Sequence, residues 1–594
     1  MKQFLKYVLA TIVGVIIVGL IMAFFSVMTL VGMASMSSSG GSVSDNSVLV
    51  LKLEGAIQER AEANPFAKLF GSSFDEQGLD KILTAIKHAE TEDKVKGIYI
   101  EAGTLAGAEP ATLQAIRDQL EAFKKSGKFI VSYGDTYSQG AYYLSSVADS
   151  VIINPQGMIE WSGLGSEVMY YKDLLDKIGV KMQVFKVGTY KSAVEPYILS
   201  EMSEANREQI TTYLGEVWKE MLDDVSKSRK ISNDALNAYA DSMIMLNDPS
   251  VYKKYKLVDK YAYSDEVPQI IANMMKVDSK KDYNTVDVNT LATIVNSEPK
   301  GTSGNIVAVY YAYGEIVEAP STTSFSQEHS IIGKEAIKDL ERLANDDDIK
   351  AVVLRVNSPG GSAYASEQIW HQVMNIKSKK PIIVSMGGLA ASGGYYISCA
   401  ADWIVAEPTT LTGSIGIFGM ITDASELINN KLGVHLHNVG TNLHSDFGTM
   451  SRPFNESESA LMQNYVNRGY ELFTKRCADG RKMKQDDIKK IAEGRVWTGV
   501  HAKQLGLVDQ LGSLDDAISV AKKKAKIDEC TIVNYPGESS MFENLMNEVG
   551  GDSYADAKLK EALGDYYGIF TSAKDINRKT GIQASLPYYI MFNL

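Results

Sequence analysis

The chain carries one pattern twice. Residues 131–149 read VSYGDTYSQGAYYLSSVAD and residues 384–402 read VSMGGLAASGGYYISCAAD, with nine of 19 positions identical, where unrelated segments would share about one. Val95–Gly107 (VKGIYIEAGTLAG) matches Ile349–Gly361 (IKAVVLRVNSPGG) at nearly the same offset, and Leu257-Val258-Asp259 echoes Leu507-Val508-Asp509. A repeat this long makes each copy a folding unit with its own core, as expected for a chain of 594 residues. The expected division is 1–34 as cytoplasmic stub and membrane anchor, 35–47 as linker, 48–280 as first copy, 281–303 as joining segment and 304–535 as second copy. Residues 536–594 form an extension to which the sequence assigns no role.

Within each copy, short apolar runs alternate with helix-period segments. In the second copy Ile306–Tyr311, Ala351–Val356 and Pro381–Ser385 read as strands, Glu335–Ala344 and Ser366–Ile376 as helices, with a further helix from about Ala391. Strands alternating with helices predict an α/β fold with a mostly parallel sheet and a site at the carboxyl ends of the strands.

From Tyr7 to Met33 no residue is charged, a run of 27, where roughly 20 apolar residues span a bilayer as a helix. Lys2 and Lys6 precede it and the next charge is Asp45, which orients the N-terminus to the cytoplasm and the remainder away from it. A cleaved signal peptide is the rival reading, with Ala34-Ser35-Met36 as a small-residue site, although the apolar core of such a peptide runs only about 7–15 residues. The net charge of −13 argues against a nucleic-acid partner. Three scattered cysteines (Cys399, Cys477, Cys530) form neither a disulfide framework nor a metal motif.

The chemistry concentrates in the second copy. In Pro381–Ala401 a strand ends, Gly387-Gly388 reads as a turn, and small residues surround Ser392 where a helix begins. That is the setting of a serine nucleophile: an accessible hydroxyl beside free N–H groups and the positive end of a helix. It is equally the setting of a serine that merely caps a tightly packed helix. Asn357-Ser358-Pro359-Gly360-Gly361-Ser362 follows the preceding strand, and its glycines offer backbone N–H groups to an oxyanion or an extended peptide. In the first copy the same place reads Ala102-Gly103-Thr104-Leu105-Ala106-Gly107, and Ser392 aligns with Gln139. His371, His435, His437 and His444 are the nearby candidates for a base. A second candidate is Lys191 of the first copy, after the strand-like run Met182–Val187, where the second copy has Val439–His444 and no lysine. A single lysine is most often a solvated surface residue.

At Tyr190–Pro196, Asn357–Ser362, Ala391–Tyr395 and Leu411–Gly416 the chain resembles the signal peptide peptidase A (protease IV) family in its long, two-domain, membrane-anchored form. The resemblance implies two tandem copies of a Clp-protease/crotonase-like domain behind one transmembrane helix. It implies a Ser/Lys dyad with Ser392 as nucleophile and Lys191 as base, and Ser414 as the serine that hydrogen-bonds the lysine. An oxyanion hole at Gly360, Gly361 and Gly393 is expected with it, and no metal or organic cofactor. The implied substrates are cleaved signal peptides and membrane-derived fragments, and the implied assembly is a homotetramer at the bacterial inner membrane, facing the periplasm. Two alternatives stand beside this reading: a crotonase-like acyl-CoA enzyme, because fold does not fix function, and an inactive peptide-binding scaffold.

Overall fold

A computed structural model describes residues 42–61, 77–105, 107–297, 304–319, 329–537 and 581–585, with Gly14, Val18, Gly19 and Ile21 as isolated helical positions. The anchor expected over Tyr7–Met33 lies outside the described residues apart from those four. Among the described residues no helix is long and apolar enough to cross a membrane.

Each copy builds the same six-stranded parallel order. In the first copy the neighbours run Lys260–Tyr261, Ser150–Ile159, Phe129–Tyr137, Val95–Leu105, Ser47–Gly55 and Asn284–Asp287. In the second they run Gln510–Leu511, Trp403–Ala406, Ile382–Ala391, Ile349–Ser358, Ile306–Tyr313 and Thr531–Tyr535. The central strands are buried on both faces, which is why Ile306–Tyr313 reads IVAVYYAY with no polar alternation. Helices such as Leu79–Thr91 and Gly333–Asn345 cover them with their apolar faces. Asn284–Asp287 and the helix Val288–Ser297 fall inside the stretch read as a joining segment. The first joins the edge of the first sheet.

A third sheet crosses between the copies. Its order is Ser330–Ile332, Glu315–Val317, Gly360–Ser362, Gly581–Ser585, Phe418–Asp423 and Lys181–Lys186. Lys181–Lys186 of the first copy pairs antiparallel with Phe418–Asp423 of the second, from Lys186 opposite Phe418 to Lys181 opposite Asp423. Leu175, Val180, Met182, Ala193, Val194 and Tyr197 then share one apolar cluster with Phe418, Met420 and Ala424, so neither copy completes this core alone.

One local expectation is corrected. Gly387-Gly388 is not a turn: the strand continues from Ile382 to Ala391, and the helix begins at Gly393. The glycines are required by approach from the first copy. A Cβ on Gly387 would lie 2.5 Å from Glu59 Oε1, and one on Gly388 2.2 Å from Glu109 Oε2. The Pro-Gly-Gly segment likewise forms a short strand, Gly360–Ser362, rather than an open loop.

Glu59 meets Arg355 in a bidentate pair, Nη2 to Oε1 at 2.8 Å and Nε to Oε2 at 3.0 Å, with the side chains 2% and 4% exposed. The guanidinium also donates to Ser385 Oγ and Met386 O. Removing one member leaves a buried charge unpaired, which costs about 3–5 kcal/mol. Glu59→Ala is therefore expected to lower the melting temperature sharply, and Glu59→Leu combined with Arg355→Met to restore much of the loss in the same thermal scan.

Candidate active site

Ser392 stands at the junction of a strand and a helix, with φ 54° and ψ −112°. A non-glycine residue held in such a region stores about 1–3 kcal/mol and persists only where its surroundings enforce it. Here its N–H donates to Gly413 O at 2.8 Å, tying it to the neighbouring strand Leu411–Gly413. The hydroxyl makes no capping bond to the helix that follows. The helix-cap reading of Ser392 is thereby set aside.

The hydroxyl instead accepts from Lys191 Nζ at 2.8 Å. The same amine lies 3.0 Å from Ser414 Oγ and 3.2 Å from Ser414 O. Lys191, Ser392 and Ser414 are all fully buried. Burial alone pushes the amine down to about 7, because the charged form loses its hydration without gaining a counter-ion among the described residues. A charged ammonium has three donors for these three oxygens. The neutral amine keeps two N–H groups for Ser414 and turns its lone pair to the Ser392 hydroxyl.

Lys191 reaches this place because the cross-copy strand ends at Lys186 and a short 3₁₀ turn, Ser192–Val194, follows it directly. The segment is gripped by residues 493–495, which the sequence reading did not single out. Tyr190 N–H donates to Glu493 O at 3.0 Å, and Ser414 N–H donates to Arg495 O at 2.7 Å. A Cβ on Gly494 (φ 79°) would lie 2.6 Å from Lys191 Cβ, and one on Gly416 3.3 Å from Lys191 Cδ. A glycine just past the helix Gln485–Ile491 reads as an ordinary helix stop, so its sequence context gave no signal. Gln209 adds a brace from the first copy, donating to Ser192 Oγ and accepting from Val496 N–H. Ile210 and Tyr213 pack with Ala391, Leu411 and Val496 against the same place.

Gly360 and Gly393 come together: a Cβ on Gly360 (φ 100°) would lie 2.6 Å from Gly393 N. The Gly360 N–H donates to Ser358 Oγ at 3.1 Å. Gly361 lies one residue further along, packed so closely that a Cβ would meet Ile316 O at 2.0 Å. The histidines considered as bases stand elsewhere. His371, His435 and His437 are exposed, and His444 Nδ1 is 3.4 Å from Glu458 Oε1.

Comparison with known proteins points to a peptidase. A family model described as peptidase family S49 matches residues 122–278 and 375–528, one stretch in each copy, and a Clp protease model matches residues 309–406. The chain is 36% identical over 560 residues to Protease 4 of Salmonella typhi, covering 91% of this chain and 88% of that protein. It is 33% identical over 520 residues to Protease 4 of Haemophilus influenzae, covering 84% and 82%. It is 29% identical over 531 residues to the chloroplastic serine protease SPPA of Arabidopsis thaliana, covering 88% and 76%. All three are named as proteases and none as an acyl-CoA enzyme.

The buried amine has a measurable cost. Its pKa is about 7 when folded and about 10.4 in an unfolded chain. Between pH 7 and 10 the unfolded state binds more protons, so this group makes stability rise with pH across that window. Near pH 7 the cost is roughly 4 kcal/mol at 1.36 kcal/mol per pKa unit. Lys191→Met should melt above the wild type near pH 7, and the gap should narrow toward pH 10. A gap independent of pH would show that the amine is not held neutral by burial.

Proposed function

The chain belongs to peptidase family S49 and is a serine endopeptidase, and we propose that Ser392 and Lys191 carry its chemistry as a dyad shared between the two copies. The observation behind this reading is the 2.8 Å contact from Lys191 Nζ to Ser392 Oγ in a site without solvent exposure. Neutral Lys191 takes the hydroxyl proton as Ser392 Oγ attacks the substrate carbonyl, and returns it to the leaving amine. Ser414 orients the amine through its hydroxyl and carbonyl oxygens. Backbone N–H groups at Gly393 and in the Gly360-Gly361 segment stabilise the tetrahedral oxyanion.

The uncharged run Tyr7–Met33 behind Lys2 and Lys6 supports a single-pass anchor with the catalytic copies outside the cytoplasm, at the bacterial inner membrane. The family resemblance supports cleaved signal peptides and membrane-protein fragments as substrates. It also supports a homotetramer. Exposed Leu432, Val434, Leu436, Val439 and Leu443 give such an assembly an apolar surface to cover.

Two outcomes test the reading. Peptide hydrolysis should fall with acid below about pH 7, as Lys191 gains its proton, and level off above it. Lys191→Arg, which cannot deprotonate, should then be as inactive as Ser392→Ala, whereas near-normal turnover of the arginine variant would make the lysine structural. For the topology, protease added to spheroplasts should digest the catalytic copies while alkaline carbonate fails to extract the intact chain. A protected or freely extracted chain contradicts the anchor.

A further inference from the structure

Lys191 is held by neither a helix nor a strand. The cross-copy strand ends at Lys186 and the 3₁₀ turn begins at Ser192. Lys191 itself has φ −75° and ψ 74°, with Ser192 N–H donating to Tyr190 O at 2.8 Å. That is an inverse γ-turn, three residues closed by one hydrogen bond. A turn this small does not by itself fix the tip of a long, flexible side chain against a hydroxyl of the other copy. The amine nonetheless lies 2.8, 3.2 and 3.0 Å from its three oxygens, so the turn is held from outside.

Two side chains hold it. Gln209 is buried on the helix Glu204–Arg229. Its amide nitrogen lies 3.2 Å from Tyr190 O and 3.0 Å from Ser192 Oγ, acceptors on either side of Lys191, and 3.1 Å from Asn206 Oδ1. Its Oε1 accepts from Val496 N–H at 3.2 Å. Val496 stands opposite Gly413, whose carbonyl accepts from Ser392 N–H. Nearer the surface, the Arg495 guanidinium lies over the rings of Tyr190 and Trp497, 4.6 and 4.5 Å from their centroids. It donates to Tyr190 Oη at 3.1 Å and to Glu208 Oε1 at 2.9 Å, and Tyr190 Oη donates to Glu208 Oε2 at 3.2 Å. The Arg495 carbonyl accepts from Ser414 N–H at 2.7 Å. Each residue therefore ties the turn that carries Lys191 to the backbone that carries Ser392 and Ser414.

We infer that Gln209 and Arg495 are positioning residues for the base, setting the reach and the dryness of the Lys191 amine through the turn that carries it. The inference rests on the dyad reading above. The titratable and charged groups packed around the turn are Tyr190, Glu195, Glu208, Tyr213, Glu493 and Arg495. Among the described residues the amine bonds to none of them, only to Ser392 and Ser414. Loosening either grip has two consequences. The amine leaves hydrogen-bond reach of Ser392, which slows the chemical step, and a misplacement of about 1 Å can cost roughly 100-fold. Water also reaches the amine and favours its charged form. The acid limb of activity then moves upward from about pH 7.

The test is the pH dependence of kcat and KM for peptide hydrolysis by the full chain, with a thermal melt of each variant. Gln209→Met and Arg495→Met should lower kcat by about ten- to hundredfold with KM unchanged, and move the acid limb of kcat above about pH 7. Gln209→Glu keeps the acceptor for Val496 N–H but adds a negative charge near the amine, and should move that limb furthest. Tyr190→Phe removes the hydroxyl through which Arg495 acts. Combined with Arg495→Met it should lower kcat by less than the product of the two single effects, and losses that multiply overturn this route. Where Arg495→Met does not fold, Tyr190→Phe reads the same link, and Gln209→Glu stands in for Gln209→Met. Wild-type kcat, or a lower kcat with the acid limb unmoved, overturns the positioning role and leaves the dyad standing if Lys191→Arg is inactive. Near-normal turnover of Lys191→Arg overturns both.

Discussion

A lysine amine buried without a counter-ion is the constraint around which this molecule is arranged. Water would hold Lys191 charged, and a neighbouring carboxylate would do the same. Only a dry pocket lined by hydroxyl and carbonyl oxygens leaves the amine near neutral, at about 7. Neither copy can make such a pocket alone. The first supplies the lysine, Gln209, Ile210 and Tyr213. The second supplies Ser392, Ser414, Gly494 and Val496. The antiparallel pairing of Lys181–Lys186 with Phe418–Asp423 fixes their relative position by backbone hydrogen bonding rather than by side-chain packing alone, and that precision is what a 2.8 Å contact between distant segments demands.

The opposite electrostatic regime prevails a short way along the same interface. Glu59 is buried against Arg355, so its charge is compensated. Glu109 has no such partner among the described residues. It accepts from Asn357 Nδ2 at 2.7 Å, and burial pushes its carboxyl up to about 7. Asn357 in turn accepts from Leu389 N–H at 2.8 Å, so the first copy touches both the strand leading to Ser392 and the residue before Ser358. Gly387 and Gly388 exist to admit these carboxylates. The interface thus joins the copies through acids of the first and strand ends of the second, while Lys191 is kept apart from both of those acids.

What the sequence made legible follows from how local each signal is. The repeat, the alternation of strand and helix, and the small-residue setting of Ser392 are all written within windows of about 20 residues. Contacts between the copies leave no such mark. Gly387-Gly388 looks like a turn because a pair of glycines needed for close approach and a pair needed for chain reversal are the same letters. Gly494 is invisible for the same reason, since a glycine after a helix has a sufficient local explanation. Lys191 is singled out by its absence from the counterpart Val439–His444 and by the family resemblance at Tyr190–Pro196, not by any local pattern of its own. The strand Gly581–Ser585 carries five residues with one clear apolar position, too short for any periodic signal, and its pairing depends on a groove between two distant strands of the second copy.

The division of labour between the copies also explains what became of the site that the first copy lacks. At the position of Ser392 it has Gln139, whose Oε1 accepts from Ser162 and Gly163 N–H at 3.0 and 2.9 Å. The preceding Ser138 caps the helix by accepting from Ala141 N–H, the ordinary role that Ser392 has left. The backbone there is relaxed, Gln139 being a helical residue without a positive φ, whereas Ser392 is held at φ 54°. Strain is thus retained only in the copy where a hydroxyl must face an amine, and it is enforced by Gly413 and by the lysine from the other copy. On the proposed dyad, catalytic geometry and docking of the two copies are coupled: both copies line the dry pocket that holds Lys191 near neutral, so letting water into it would restore the charge and remove the base.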